Sequence, residues 1–266
     1  MVREQLVVRL NDREYKNWLK AGRCLLILKD GLHPFIGQQM RAFHGDLLNQ
    51  NPLLRKPCET SSCKPKGNKL SRLCRLCTAW QTAILRHHRQ PDATVNWDNC
   101  FPPSWRTDPW EVAKVIRYRN ELMHSCELRM KDEWMRHYQT SLKHLVQQFS
   151  HIPQMAKVGQ EIDKMLAVDL LICVSGVDQL DSGDLDGLEC DSVHQGEPSA
   201  NLISQWEAEL LQERLQELLH ADDNDDTKTQ DAEQLRGLGG FLQANSDLGE
   251  RFSAELQTIN SLEARK

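Results

Sequence analysis

The sequence predicts an all-α protein with a Cys-rich insertion near its front and a helical C-terminal tail. Three observations carry this. Apolar residues recur at spacings of three and four through residues 13–48, 132–150 and 202–262. A stretch around 49–78 breaks that rhythm with three prolines, small polar residues and two cysteine pairs. A Gly/Asp/Ser-rich run at 176–200 reads as a linker before the last helices. Hydrophobic residues at 39% suffice for a core, and 27% charged residues are ordinary for a globular chain.

The front, residues 1–50, is a helical segment. Asn11 or Asp12 caps the helix that starts here, with Glu14 in its first turn. Tyr15, Trp18, Leu19, Leu25, Leu28 and Leu32 recur near helical spacing, and their aromatics are core packing. Pro34 is expected to break or kink this helix before the pattern resumes at Phe35, Ile36, Met40, Phe43, Leu47 and Leu48.

Residues 51–110 form a Cys/Trp-rich subdomain. Its cysteines are spaced Cys58-x4-Cys63 and Cys74-x2-Cys77. Thiolates two to four residues apart can share a tetrahedral Zn²⁺, and two such pairs close the site. A loop poor in apolar residues gains most from such a clip. Structural zinc is therefore the expected cofactor, with free thiols as the alternative and His87, His88 and Cys100 as spare donors. Four cysteines leave no open position for a catalytic water. A short helix is expected from Thr78 to His88. Trp80, Trp97, Trp105 and Trp110 lie among Arg86, Arg89 and Arg106, a composition that could stack bases but is better read as the packing of a small stapled subdomain.

Residues 111–175 are the helical core, and they hold the chemistry-bearing stretch Arg119-Asn120-Glu121-Leu122-Met123-His124. Arg supplies a planar fork for phosphate oxygens, His titrates near neutrality, and Asn can orient either partner. On a continuous helix Arg119 and His124 stand about 140° apart. They act together only if the helix ends or kinks, or if two copies meet. The plainer reading puts Arg119 on the solvent face and His124 at the helix C-terminus, where its cation meets the dipole. The next helix, Asp132 to Ser150, carries the stripe Trp134, Tyr138, Leu142, Leu145, Val146 and Phe149, with His137 and His144 solvated. Another covers 154–173, with Met155, Val158, Ile162, Met165 and Leu166 inward.

After the 176–200 linker, where Cys190 and His194 lack nearby co-ligands, residues 201–266 form an acidic helical or coiled-coil tail. Its stripes run from Leu202 through Trp206, Leu211 and Leu215 to Leu219, and from Leu248 to Leu262. Protein partners are expected to use these helices.

Charge divides the chain. Residues 1–157 carry +12 and residues 158–266 carry −17, within the net −5. The basic front suits a polyanion such as RNA, and it equally suits attraction to the acidic back. Nine cysteines with no signal-like leader point to a reducing compartment, cytoplasmic or nuclear. The longest apolar run, Ala167 to Val177, contains Asp169 and is too short for a bilayer, so no membrane partner is expected.

The Arg119-Asn120-x-x-x-His124 spacing resembles the signature of the higher eukaryotes and prokaryotes nucleotide-binding (HEPN) domain. EYKNWLKAGRCLLILKDGL, FHGDLL, the cysteine pairs, ILRHH, NWDNC, DPWEVAKV and RNELMH, in that order, resemble a vertebrate family that is a domain of unknown function. The core of that family looks like HEPN domains of innate-immunity and ubiquitin-ligase proteins. The resemblance implies a HEPN-like helical bundle, a homodimer that brings two motifs into one cleft, and metal-independent RNA cleavage or nucleotide binding. Arg119 would then bind the scissile phosphate, His124 would act as acid or base, and Asn120 would orient one of them. One departure stands out: Lys114 runs almost directly into Val115-Ile116-Arg117-Tyr118-Arg119, where the family pattern has a longer segment. The bundle is expected to be incomplete and the chemistry silent, with Val112, Val115, Ile116, Leu122 and Met123 needing other cover. The leading reading is a HEPN-like nucleic-acid-binding or regulatory module of RNase ancestry. The alternative is a non-catalytic zinc-stapled adaptor.

Overall fold

The computed structural model describes residues 2–58, 60, 63, 73–86, 109–171, 198–219 and 228–263. Among these, the regular structure is all helical: α1 (Val2–Leu10), α2 (Arg13–Gln50), a 3₁₀ turn (Pro52–Arg55), α3 (Arg75–Leu85), α4 (Pro109–Met123), α5 (Asp132–Gln148), α6 (Pro153–Ala167), α7 (Ala200–Leu219), α8 (Lys228–Ala244), α9 (Ser246–Arg251) and α10 (Ser253–Glu263). Residues 176–197 of the expected linker, His87, His88, Cys100, Trp97 and Trp105 lie outside the described residues, and so do Cys190 and His194; the last linker position, Ala200, already belongs to α7.

The start of α2 obeys the sequence logic. Asp12 Oδ1 accepts from the backbone N–H groups of Glu14 (2.9 Å) and Tyr15 (3.3 Å) and so caps two orphan donors. Of the two outcomes expected at Pro34, a break or a kink, the break does not occur. A 38-residue helix runs through it, with packing on either side outweighing one lost ladder bond. Pro153 follows the end of α5 and opens α6, where its missing N–H costs nothing.

The chain divides into two compact units. The first comprises residues 1–26, 117–140 and 160–266. Trp18, Leu19, Leu122, Leu128, Tyr138, Ile162, Ile203, Leu211 and Leu238 are buried in it. Its helices from 200 onward are integral to this core. Gly22 on α2 allows Leu210 of α7 to approach so closely that a Cβ would sit 2.5 Å from Leu210 Cδ1. Arg9 of α1 lies between Glu207 of α7, at 2.7 and 2.8 Å, and Asp247 of α9, at 2.9 and 2.8 Å. The Tyr15 hydroxyl donates to the same Glu207. Burial works against the Arg9 cation, but its hydrogen bonds to Asp247 and Glu207 win and raise its pKa; burial also raises that of Tyr15. The Tyr138 hydroxyl donates to the Ala21 carbonyl at 2.9 Å.

The second unit comprises residues 27–116 and 141–159. Leu28, Leu32, Leu142, Leu145, Phe149 and Val158 are buried there, and Phe35 meets Phe149 edge-on. Leu47, Leu54 and Leu76 form a small separate cluster that Phe43, Trp80 and Ile84 cover. Trp80 stacks on the His44 imidazole, 5.1 Å between centroids and 3° from parallel. This tryptophan therefore packs the subdomain, the plainer of its two readings.

Candidate functional site

The cysteine pairs converge on the Leu47–Leu54–Leu76 cluster. At the end of α2, Asn51 caps the 3₁₀ turn by accepting from Leu53 N–H, which directs the chain toward Cys58. Across from it, Cys74 is the N-cap of α3, its Sγ accepting from Cys77 N–H at 3.4 Å. That cap starts the helix at Arg75, three residues before the expected Thr78. Leu54 and Leu76 are buried, so apolar packing holds both strands of the site in place.

The ligand atoms of Cys58, Cys63, Cys74 and Cys77 all lie within 4.8 Å of one another. Cys58 Sγ is 3.8 Å from Cys74 Sγ and 3.5 Å from Cys77 Sγ. Zinc–sulfur bonds of about 2.3 Å in a tetrahedron put the sulfurs about 3.8 Å apart. The Cys74 amide donates to Cys63 Sγ at 3.0 Å. The Cys77 thiol is pushed up to about 12, first by desolvation and then by hydrogen bonds with Cys58, Cys74 and Cys63. The Cys77 thiol therefore stays protonated until a cation replaces its proton. The donor set thus fits a metal ion, and it is closed: all four positions are protein sulfur.

The Arg119-Asn120-x-x-x-His124 stretch occupies the end of α4. Three contacts brace it. Trp18 Nε1 donates to the Leu122 carbonyl at 3.3 Å, Trp134 Nε1 donates to Glu121 at 2.6 Å, and Tyr118 packs edge-on against Trp134 and Tyr138. Leu122 and Met123 are buried, so this part of the apolar stripe is covered. Arg119 and His124 diverge. Arg119 gives both terminal nitrogens to Glu217 of α7, at 2.7 and 2.6 Å. His124 Nδ1 lies 2.8 Å from Gln234 Oε1 of α8. Asn120 Oδ1 accepts from Arg119 at 3.3 Å. The geometry is that of a helix end tied to two other helices, and each tie uses the group that chemistry would need free.

Sequence reasoning passed over the partners. Glu217 and Gln234 sit within helices read only for their leucines. Arg214 is buried between Leu211 and Leu215 on the stripe face of α7, and Glu207 is buried one turn on from Ile203. The signal was present: a charge at a stripe position, four residues from an inward leucine or isoleucine on each side, is a buried charge.

A groove in the first unit is lined by Arg13, Asn17, Lys20, Asp132, Arg136 and Gln139, with a volume of about 450 Å³. Asp132 accepts from Arg13 at 3.0 Å and from Asn17 at 2.9 Å, and those bonds, Asn17's first, lower its pKa. Lys20 donates to the Leu166 carbonyl, and desolvation lowers its pKa. Among the described residues no helix is long and apolar enough to cross a membrane.

Residues 9–117 and 114–265 each match the model of a domain of unknown function, DUF4559. The two matches meet at 114–117, where the sequence pattern points to a missing segment. Over 306 aligned positions the chain is 32% identical to the "uncharacterized protein CXorf38 homolog" of Mus musculus, covering 98% of this chain and 93% of the relative. That alignment exceeds the 266 residues here, so the relative contains residues with no counterpart in this chain. No solved structure matches.

Proposed function

The chain belongs to the DUF4559 family, and on that premise we propose that it is a non-catalytic helical adaptor whose second unit is stapled by zinc. The observation that carries this reading is the closed set of four thiols, Cys58, Cys63, Cys74 and Cys77, within 4.8 Å. A bound Zn²⁺ would supply folding free energy to a loop-rich segment and no open coordination position for substrate. The Arg119–Glu217 and His124–Gln234 ties support the same reading. They make the motif a brace between α4, α7 and α8. A phosphate group would have to displace a bidentate carboxylate to reach Arg119.

The test is metal analysis of the full chain after zinc-replete expression, alongside the Cys74→Ser/Cys77→Ser variant. About one zinc per chain is expected, lost in the variant together with protease resistance around residues 50–86. A metal-free wild type, or a variant that keeps its resistance, sinks the staple.

A HEPN-like nucleic-acid-binding role is the second reading, favoured by the +12 charge of residues 1–157 and by Arg13, Lys20 and Arg136 around one groove. It expects RNA affinity that falls steeply with salt. Cleavage of RNA in EDTA that vanishes in Arg119→Ala and His124→Ala would replace the adaptor reading with an active HEPN enzyme.

A further inference from the structure

We propose that the junction of α4, α7 and α8 binds a small oxyanion of the phosphate class, anchored by the buried guanidinium of Arg214. Arg214 is 1% exposed, and its Nε, Nη1 and Nη2 are all buried without a hydrogen-bond partner. Five N–H donors in a planar fork are thus withdrawn from water with nothing to accept them. A buried cation in that condition carries its full desolvation penalty. Burial pulls the Arg214 pKa down only to about 10, so the group is still charged at neutral pH.

The surroundings specify the missing partner. The carboxylate of Glu217, one turn along α7, is committed to Arg119 by two bonds of 2.7 and 2.6 Å. That pair is neutral, so Arg214 leaves one uncompensated positive charge at the junction. Cys126, in the loop after α4, is the other group that acts electrostatically on Arg214. The loop carrying it packs on α8 at Gly237, where an added Cβ would lie 3.5 Å from the Cys126 carbonyl oxygen. Gln234, one turn before Gly237, has its Oε1 taken by His124. What it can still offer is N–H. The site is rich in donors and short of one acceptor with negative charge, which excludes a metal cation and selects an anion.

Size narrows the class. The three guanidinium nitrogens are out of solvent contact, so a nucleic-acid strand could not lay its backbone against them. A guanidinium fork suits a single tetrahedral ion, and the two groups that act on Arg214 electrostatically both reach water: Cys126 is exposed and Glu217 is part-exposed. This site does not depend on the zinc staple, which lies in the other unit.

The experiment is thermal melting of the full chain in sodium phosphate against sodium chloride at equal ionic strength. In phosphate at roughly ten times its Kd, linkage gives a rise of about 3 °C or more in wild type. O-Phosphoserine is the second probe. A rise with both probes identifies a phosphate monoester as acceptable, and a rise with phosphate alone identifies the free ion; either supports the site. Arg214→Met should melt no lower than wild type in chloride and show no rise in phosphate. Wild type indifferent to phosphate, or Arg214→Met retaining the rise, overturns the proposal. If Arg214→Met does not fold, phosphate binding by phosphorus NMR in Arg214→Lys takes its place. Loss of the fork should weaken binding about tenfold or more, and unchanged binding overturns the proposal.

Discussion

Replacing Arg9 by Met tests the most heavily paired charge in the first unit. The guanidinium is 5% exposed and lies between Glu207, which is fully buried, and Asp247, which is nearly so. Its Nη2 donates to Glu207 Oε2 and to Asp247 Oδ2, each at 2.8 Å, so those oxygens are held within one guanidinium's reach of each other. Met keeps most of the stem volume and removes the charge. Two carboxylates then face each other in low dielectric, Glu207 keeping the Tyr15 hydroxyl while the Asp247 carboxylate loses both of its bonds to Arg9. Breaking a buried ion pair costs about 3–5 kcal/mol. For a chain of this size that is a drop of roughly 6–20 °C in melting midpoint. The loss has a pH signature. In the variant, mutual repulsion raises the folded-state pKa of one carboxylate above its unfolded value. A raised folded pKa means more protons bound folded than unfolded, so the variant recovers stability as pH falls from about 7 toward 5. Melting curves of wild type and Arg9→Met across that range should converge as the buffer is acidified. A variant within about 1 kcal/mol of wild type at pH 7, or a gap that widens on acidification, refutes the reasoning.

Arg119→Ala removes a bidentate but part-exposed pair and should cost about 1 kcal/mol, with a double-mutant cycle against Glu217→Ala showing the coupling; a cycle energy of zero would mean that the tie braces nothing. Gly22→Ala places a methyl 2.5 and 2.6 Å from the two Leu210 methyl carbons, and since Leu210 is buried the overpacking should cost about 1–3 kcal/mol in urea unfolding, against a helix-propensity gain of under about 1 kcal/mol. A net gain in stability would show that α7 can shift away from α2 without penalty.

Helices were legible where one face alone is apolar. The α5 stripe from Trp134 to Phe149 marks a helix that ends within two residues of its expected limit, and Asp12 caps α2 as its residue type foretells. The α2 interior was less legible. CLLILK is apolar at consecutive positions, so its phase is ambiguous; the structure buries Cys24, Leu26 and Leu28, whereas spacing had picked Leu25. Local propensity at Pro34 left a break and a kink open, and the break is excluded because packing overrides that propensity. For the site, the x2 and x4 spacings of the cysteines were enough, because chelate geometry is local in sequence. The ties of Arg119 and His124 were not recoverable, since their partners are about a hundred residues away and nothing in α4 names them.

The joint in α4 connects these observations. The two family matches overlap at 114–117, and the boundary between the compact units falls at Ile116–Arg117, inside the same helix. A loss of residues here could have left an unpaired helix end and an open stripe. Instead α4 is continuous from Pro109 to Met123, with Val115, Tyr118, Leu122 and Met123 buried. Val115 to Leu122 and Tyr118 to Leu122 are spaced as one inward face requires. Each added residue turns an α-helix by about 100°, so a shorter chain meets the original packing only if the residues after the joint keep their phase with those before it. The helix end is fixed by Trp18, Glu217 and Gln234, which bind the Leu122 carbonyl, Arg119 and His124 Nδ1 respectively. The contacts that fix this helix end therefore engage Arg119 and His124 Nδ1 within the chain, which is what the adaptor reading expects of them.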